Sequence, residues 1–420
     1  MHPCSHDLSE PTRRDFLKQA GTAAAAAVLP RSLRAAEPRR PFEVSASLYA
    51  WELHDEGVEQ VLDNVQQMSA VNSVYLIGVM HPERRPFREG TFPHNPVRQT
   101  WMAEDARCYW HPDPKKYGRI KPRLSSNDWL NRTDWAQVLR DAARKRGLRF
   151  GIEQSHTLVD KERAEGEFAD LAQRNIHGEI THVRDWLRPL CPNNPATLEY
   201  VRAMSAELIA NYGMDYFQLC MILFDESVDG RPDRGGGCFC DACKRTAKEA
   251  GLDLGKIQAT LLADPVAQPA LGEWQEFRFQ SAARFYQALH TSIHALKRDI
   301  DLRYNLHMTN PLDWGVKLTA MQPYLDSLRV MDYSEQEGDP ALMGKKRERL
   351  AGLRRELRRD LPIIACVGCR LKATPELLSE GVQISVQTGM DGIALGHYDG
   401  ATFPMLRGIR AGLVAAKVPV

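Results

Sequence analysis

Hydrophobic and polar residues alternate along this chain in a way that predicts strands and helices in turn. Runs with a period of two, or with continuous apolar character, are typical of half-buried and fully buried strands. Eight such runs occur, at residues 42–49, 73–79, 148–154, 216–224, 302–308, 328–333, 363–368 and 392–396. Apolar residues on one helical face predict helices between them, at residues 57–68, 133–145, 161–174, 196–212, 345–358 and 404–416, with helical pattern also dominating residues 244–297.

Eight strands that alternate with helices predict an α/β fold, a (β/α)8 TIM barrel. The alternative is a doubly wound open sheet, which usually carries a glycine-rich phosphate turn after its first strand. Here Ala50-Trp51-Glu52 follows the first strand, and the chain has neither a GxGxxG nor a GxxxxGK[ST] motif. A long irregular stretch, residues 80–131, follows strand 2. Its aromatic residues argue against disorder, so we expect a functional loop.

The N-terminal residues resemble a bacterial export signal of the twin-arginine type. Residues 12–18 read TRRDFLK and precede a weakly apolar, alanine-rich run at residues 20–29. The small residues Ala35-Ala36 are where we expect the signal to be cleaved. We therefore expect a signal peptide over residues 1–36 and a single catalytic barrel domain over residues 37–420. The mature protein would be periplasmic or secreted, with the twin-arginine translocase as its partner during export.

Charge and hydropathy exclude two classes of partner. The chain carries 55 basic and 54 acidic residues, a net charge of +1. Removing residues 1–36 takes away five basic and three acidic residues, leaving 50 against 51, or −1. Such a balance provides no basic field for nucleic acid. No stretch approaches the roughly 20 apolar residues of a membrane span.

A cysteine-rich insertion follows strand 4, with Cys238, Cys240 and Cys243 inside six positions. Three thiols at this spacing can bind one tetrahedral zinc ion if a fourth ligand comes from elsewhere in the chain. The alternative is three loop thiols that bind nothing. Cys366 and Cys369 have CxxC spacing, but residues three apart in a strand point to opposite faces, which argues against a redox pair.

The segment from about residue 185 to residue 250 resembles the zinc-cysteine region of family 42 β-galactosidases, which are glycoside hydrolase barrels. In that family a Cys-Pro-x-x-Pro segment supplies the fourth zinc ligand, and Cys191-Pro192-Asn193-Asn194-Pro195 matches it here. The resemblance implies a closed structural zinc site of Cys191, Cys238, Cys240 and Cys243. It also implies that Glu226, at the end of strand 4, is the acid/base.

The chain departs from the family 42 pattern at two positions. Asp225 stands where the family has asparagine before the acid/base, and strand 7 (IIACVGCRL) lacks the family's nucleophilic glutamate. More broadly, the chain resembles exported glycoside-hydrolase-like barrels. That wider resemblance implies an exported carbohydrate-active enzyme, most simply a glycoside hydrolase.

Carboxylates recur where predicted strands end, which in a barrel is the rim that carries the active site. Glycosidic cleavage needs a proton donor and a second carboxylate. We expect Glu226 to be the general acid/base and Asp332 its partner, with Asp225 and Asp399 as further catalytic candidates. Other polar and aromatic side chains at strand ends are candidates for binding the sugar, by hydrogen bonds or by stacking. These are Trp51, Glu52, Glu153, His156, His307, Asn310, Tyr333, Arg370 and His397, with Tyr109, Trp110 and Tyr398 as further aromatic candidates. Glu335, like Glu52 and Glu153, is also a candidate carboxylate at a strand end.

Two other functions are compatible with the same residues. Glu153, Glu226, His307 and Asp332 could instead hold a catalytic divalent metal, an arrangement that looks like sugar isomerases and epimerases of the xylose isomerase type. A non-catalytic carbohydrate-binding barrel would explain the missing glutamate on strand 7, whereas the number of carboxylates at strand ends argues against it.

Overall fold

A computed structural model of the chain describes residues 41–79, 92–98, 107–155, 157–183, 187–220, 223–307 and 310–420. The predicted signal peptide and His156 lie outside these residues. The strands are β1 (Glu43–Leu48), β2 (Ser73–Ile77), β3 (Arg149–Ser155), β4 (Tyr216–Cys220), β5 (Asp301–His307), β6 (Ser327–Met331), β7 (Ile363–Gly368) and β8 (Gly392–Gly396). They pair in chain order, all parallel, and β8 pairs with β1 to close a barrel. The predicted (β/α)8 fold is confirmed.

Helices follow the strands and cover the outside of the barrel. They are α1 (Ala50–Asp55), α2 (Val58–Ser69), α3 (Asp128–Asn131), α4 (Trp135–Lys145), α5 (Lys161–Glu165), α6 (Pro195–Tyr212), α7 (Asp241–Glu249), α8 (Leu254–Ala263), α9 (Ala270–Leu296), α10 (Leu318–Met321), α11 (Ala341–Glu356), α12 (Pro375–Gln387) and α13 (Phe403–Ala415). None of the described helices has both the length and the apolar character needed to cross a membrane.

The two faces of the barrel strands have different chemistry. In β1, Val44, Ala46 and Leu48 belong to the large apolar core that the strands form with the helices. The alternate residues, Ser45 and Ser47, are buried polar residues whose hydroxyl groups donate to the Ile393 and Leu395 carbonyls of β8. Because strand side chains alternate between faces, one face meets the helices and the other fills the barrel. The apolar core therefore lies mainly outside the barrel, and the barrel interior is largely polar.

Charged residues fill the end of the barrel where the strands begin. Arg303 of β5 donates to both carboxylate oxygens of Glu43 in β1, at 2.7 and 3.0 Å, and to Asp301 at 2.9 Å. Arg149 of β3 also pairs with Glu43. The Arg303 guanidinium lies 4.3 Å from the ring centroid of Tyr216. These contacts connect strands on opposite sides of the barrel.

Two predicted elements end earlier than their sequence pattern indicates. β4 ends at Cys220, so Leu223 and Phe224 are buried in the loop rather than paired in the sheet. The helix expected over residues 161–174 stops at Glu165, because Gly166 leaves helical geometry at φ −103° and ψ −104°. A two-stranded antiparallel sheet, Leu158–Asp160 with Leu187–Pro189, packs beside it. Both changes shape the chain near the end of β4.

Candidate active site at the carboxyl ends of the strands

The Asp225–Glu226 segment leaves β4 in a loop that is fixed by buried partners. The Asp225 backbone N–H donates to Gln173 Oε1 at 3.2 Å, and its carbonyl accepts from Arg278 Nη2 at 2.8 Å. The next residue, Ser227, donates its N–H to the Asp313 carbonyl at 2.8 Å. Asp225 and Glu226 remain partly exposed. The loop therefore holds two neighbouring acidic residues at the solvent boundary.

Asp225 has an unusual protonation equilibrium for an aspartate. Burial raises the pKa of its carboxyl to about 6, although a hydrogen bond from the Glu226 backbone N–H and the charge of Arg278 act in the opposite direction. That hydrogen bond to Oδ1 is 2.9 Å long. A carboxyl group of this pKa exchanges its proton near neutral pH, as general acid/base chemistry requires.

Arg278 of α9 contacts this loop and was not identified from the sequence. It is fully buried, donates to Ser227 Oγ at 2.6 Å and to the Asp313 carbonyl at 2.9 Å, and stacks over Trp274 at 4.7 Å. Burial lowers its pKa to about 10, so it stays charged at neutral pH. Its signal in the sequence is an arginine on the otherwise apolar face of a helix.

The four predicted zinc ligands come together in the structure. Cys191, Cys238, Cys240 and Cys243 are all buried, and their sulfur atoms lie within 4.8 Å of one another. They are free cysteines rather than disulfides. Around a tetrahedral zinc with Zn–S bonds of about 2.3 Å, sulfur atoms are about 3.8 Å apart. The spacing therefore fits one ion.

Hydrogen-bond donors surround these sulfur atoms. The backbone N–H groups of Arg174 and Cys240 donate to Cys238 Sγ, each at 3.4 Å, and Asn193 Nδ2 donates to Cys243 Sγ at 3.3 Å. Such donors stabilise negative charge on sulfur and orient ligands around a metal. Four thiolates leave no open coordination position, so a metal here would be structural.

A second group of predicted residues meets where β1, β7 and β8 end. Arg370 donates to both carboxylate oxygens of Asp399, which is 1% exposed. Glu52 accepts the Tyr49 backbone N–H at 2.7 Å, while its Oε1 is buried with no hydrogen-bond partner among the described residues. Burial and the Asp399 charge raise the pKa of Glu52 well above its ordinary value. Asp399 is therefore paired with Arg370, and Glu52 lies in surroundings that disfavour its charged form.

Glu153 points into the barrel just below the rim. It accepts a hydrogen bond from Gln218 of β4 and lies 3.8 Å from Arg329 Nη1. Arg329 also donates to Tyr333 Oη at 3.2 Å. On β5, which pairs with the strand of Arg329, both amide atoms of Asn305 are buried. They have no hydrogen-bond partner in the part of the chain that the structure describes. Asn305 was not singled out from sequence, because its free amide depends on which strands flank it.

Asp332, the predicted partner of Glu226, is held by the helix that follows its strand. Arg349 of α11 donates twice to Oδ2, at 2.9 and 2.7 Å, and Ser334 donates twice to Oδ1. Burial tends to raise the pKa of Asp332, but the Lys346 charge and the bonds from Ser334 and Arg349 lower it overall. All four lone-pair positions of the carboxylate are occupied, an arrangement that favours a structural role.

Glu335 also binds to α11 rather than to the rim. Its carboxylate accepts from Lys346 Nζ at 2.5 Å and from the Gly368 N–H at 3.1 Å, and both charged side chains are fully buried. Burial raises the pKa of Glu335, while Lys346 opposes the shift. Asp332 and Glu335 thus join β6 and β7 to the covering helix.

The predicted aromatic side chains differ in exposure. Trp51, Tyr109, Trp110 and Tyr398 are buried and pack inside the protein. Tyr333 and His397 are partly exposed, and their rings lie 5.8 Å apart. His397 Nδ1 is also 3.2 Å from Tyr49 Oη. Tyr333 and His397 therefore form a pair of partly exposed rings after β6 and β8.

The remaining predicted residues lie at the ends of β5. His307 stacks against Trp314, with ring centroids 6.3 Å apart, and Asn310 caps the short turn of helix that begins at Pro311. Within the described ranges, groups of three or more His, Cys, Asp or Glu with mutually close ligand atoms occur at the four cysteines and at His290, His294 and Asp326. The residues of the isomerase-type metal site do not form such a group.

Comparison with known proteins places the fold. No family model matches the chain. No curated protein matches it either. Solved structures do match it, among them the PgaB (BpsB) glycoside hydrolase domain from Bordetella bronchiseptica, with a TM-score of 0.60 and 15% identity over 86% of this chain and 95% of that one. The fold is the (β/α)8 barrel, which this chain shares with that domain.

Two further structures of this fold are similar over most of this chain. A GH42 β-galactosidase from G. stearothermophilus has a TM-score of 0.56 and 12% identity over 90% of this chain and 56% of its own. The catalytic domain of β-amylase from Paenibacillus polymyxa has a TM-score of 0.54 and 11% identity, over 91% and 100%. The chain thus spans just over half the length of the β-galactosidase. The local resemblance to family 42 lies within a shared barrel fold.

Proposed function

We propose that the protein hydrolyses a glycosidic bond, with Glu226 as the general acid/base. The observation that carries this proposal is the partly exposed Asp225–Glu226 pair, held at the end of β4 in a glycoside hydrolase fold. Arg278 and Gln173 fix the backbone of the pair, which keeps a proton donor in one position. Positioned acid/base groups contribute about 10²–10⁴-fold to rate.

Glu153 is the carboxylate we propose as the partner of Glu226. Asp332 accepts two hydrogen bonds from Arg349 on one oxygen, and Asp399 accepts hydrogen bonds from Arg370 on both oxygens. Burial and the Asp399 charge raise the pKa of Glu52 well above its ordinary value, which disfavours its charged form. Glu153, by contrast, accepts one hydrogen bond and faces the barrel interior beside Arg329. Glycosidic cleavage needs a second carboxylate as nucleophile or water activator, and Glu153 is placed for that part.

The substrate we propose is a carbohydrate that stacks on the exposed aromatic pair and hydrogen-bonds inside the barrel. Tyr333 and His397 supply the ring faces. Asn305, whose amide has no hydrogen-bond partner among the residues that the structure describes, supplies a buried donor and acceptor. A sugar ring has both an apolar face and hydroxyl groups, so it satisfies both kinds of partner.

Hydrolysis by a panel of aryl glycosides and polysaccharides tests the proposal. Glu226→Gln and Glu153→Gln should each lower kcat/KM at least 100-fold, because each removes a carboxyl group that the reaction needs. Glu337→Gln is the matched control, an exposed glutamate beyond the end of β6. Unchanged turnover in Glu226→Gln would contradict the assignment. Sugar binding without turnover by the wild-type protein would instead identify a binding barrel.

We further propose that the protein acts outside the cytoplasm after twin-arginine export. The support is the TRRDFLK motif at residues 12–18 and the alanine-rich run that follows it. Replacing Arg13 and Arg14 together by lysine should keep the full-length chain in the cytoplasm, measured by fractionation of the cells. Export of the double variant at the normal level would reject this proposal.

A further inference from the structure

A second cluster of metal-binding side chains lies at the opposite end of the barrel from the proposed active site. His290 and His294 are one helical turn apart near the end of α9, and Asp326 immediately precedes β6. Their ligand atoms lie within 4.8 Å of one another. The side chains are 30%, 21% and 30% exposed, so an ion and its water ligands can reach them from solvent.

Neighbouring groups orient two of these side chains. His294 Nδ1 donates to the Arg298 carbonyl at 3.0 Å, which leaves Nε2 facing Asp326. Asp326 Oδ2 accepts the Leu302 backbone N–H at 3.0 Å, which fixes the carboxylate. In metal sites, a ligand histidine commonly donates its other ring nitrogen to a carbonyl or carboxylate in this way.

The distances suit an ion of the zinc type after a small adjustment. His294 Nε2 lies 2.7 Å from Asp326 Oδ2, and His290 Nε2 lies 3.8 Å from Oδ1. Across a tetrahedral zinc with bonds of about 2.0–2.1 Å, ligand atoms are about 3.3–3.5 Å apart. The two observed distances lie on either side of that value, so these partly exposed side chains need to move by roughly half an ångström.

We propose that His290, His294 and Asp326 form an exchangeable site for a divalent transition-metal ion such as Zn²⁺. Two imidazoles and one carboxylate favour zinc, copper or nickel over calcium or magnesium, which prefer oxygen ligands. The ion takes the place of the proton between His294 and Asp326. Because α9 and the start of β6 would share it, bound metal joins a covering helix to the barrel.

Direct titration of the purified mature protein with Zn²⁺ tests this site. Calorimetry should show one exchangeable zinc beyond the metal already held by the cysteines, which metal analysis measures separately. His290→Gln and Asp326→Asn should weaken that step at least tenfold. His111→Gln is the matched control, an exposed histidine that is not part of the cluster and should bind as the wild type does.

Thermal unfolding supplies a readout that does not depend on activity. Zinc should raise the midpoint of wild type and His111→Gln but not of His290→Gln, since only a ligand of the native state stabilises it. His290→Gln leaves the His294–Asp326 contact in place, so it should fold without metal. Equal zinc binding by His290→Gln and wild type, or no exchangeable zinc at all, would show that the three side chains form only a polar cluster.

Discussion

Arg278 controls how the acidic pair leaves β4. Its guanidinium reaches the Asp225 carbonyl, the Ser227 hydroxyl and the Asp313 carbonyl at once. A planar group with five donors in a fixed geometry can hold three acceptors that a lysine cannot satisfy together. The charge also lies close enough to Asp225 to oppose the effect of burial on its pKa. One buried side chain therefore affects both the position and the protonation of the proposed catalytic segment.

The raised pKa of Asp225 predicts a pH-dependent stability. Its pKa is about 6 in the folded protein against an ordinary value of 3.8. The group therefore stabilises the fold fully below about pH 4, and this contribution is lost as pH rises through 6. Asp225→Asn keeps the acceptor for the Glu226 N–H but cannot ionise. Relative to wild type, it should be more stable at pH 8 than at pH 4 by about 1–3 kcal/mol.

Urea unfolding at the two pH values measures this difference. The control is Asp360→Asn, at an exposed aspartate far from the loop in sequence, which should show the same change in unfolding free energy at both. A loss of stability in Asp225→Asn that is larger at pH 8 would contradict the assigned shift. Such a result would mean that the ionised carboxylate stabilises the loop.

At the scale of elements, two consecutive residues connect the cysteine cluster to the acidic loop. The Arg174 N–H donates to Cys238 Sγ, and the side chain of Gln173 accepts the Asp225 N–H. Gln173 also donates to the Leu190 carbonyl at 3.1 Å, next to Cys191. Gln173 and Arg174 therefore connect the segments before α6 and α7 to the loop after β4. We propose that zinc bound to the cysteines holds this arrangement together.

Loss of the cysteine-bound metal should therefore reduce activity without touching a catalytic side chain. Cys240→Ser should release zinc, lower the unfolding midpoint, and lower kcat, because the loop loses its fixed anchor at Cys238. Metal analysis of the purified protein, near-UV circular dichroism and turnover are the measurements. Cys369→Ser changes another buried cysteine that lies outside the cluster and should keep its zinc. Full activity in zinc-free Cys240→Ser would break the proposed link.

The strands, the cysteines and the buried polar groups show how much of the fold and the site could be predicted from the sequence. The eight strands were predictable because alternation and apolar runs depend on local sequence. The grouping of Cys238, Cys240 and Cys243 was predictable because their spacing is unusual, and Cys191 was implied by the resemblance to family 42. The contacts of Asp332 were not predictable. A carboxylate at a strand end gives the same sequence pattern whether it faces the rim or binds Arg349, seventeen residues later. Arg278 and Asn305 depend equally on distant neighbours. Short-range pattern gives the fold, while the partners of buried polar groups come only from the tertiary structure.

At the scale of the whole molecule, charged residues fill the end of the barrel where the strands begin and connect strands across it. Arg303 binds Glu43 and Asp301, and Arg149 pairs with Glu43 from a third strand. Burial tends to raise the pKa of Glu43, but Arg303 and Arg149 lower it overall, so the carboxylate is ionised. A buried network of this kind is costly to break, since removing one partner leaves an uncompensated charge.

Replacing Arg303 by methionine should destabilise the protein by about 3–5 kcal/mol. Adding Glu43→Gln should recover part of that loss, because the double variant removes the charge left without its main partner. Urea unfolding of the single and double variants measures the coupling. Arg355→Met, at an exposed arginine of α11, should stay within about 0.5 kcal/mol of wild type. Additive effects of the two changes would contradict a coupled network.

The division of the strands into an apolar outer face and a polar inner face has a consequence for how the protein can change over generations. Residues such as Val44 and Leu48 hold the strands to the helices, whereas Glu153 and Asn305 face the interior. Selection for a new substrate acts on the second set and leaves the first set intact. Heritable changes at Glu153 and Asn305 can therefore alter what the barrel interior binds, while the outer residues keep the strands packed on the helices.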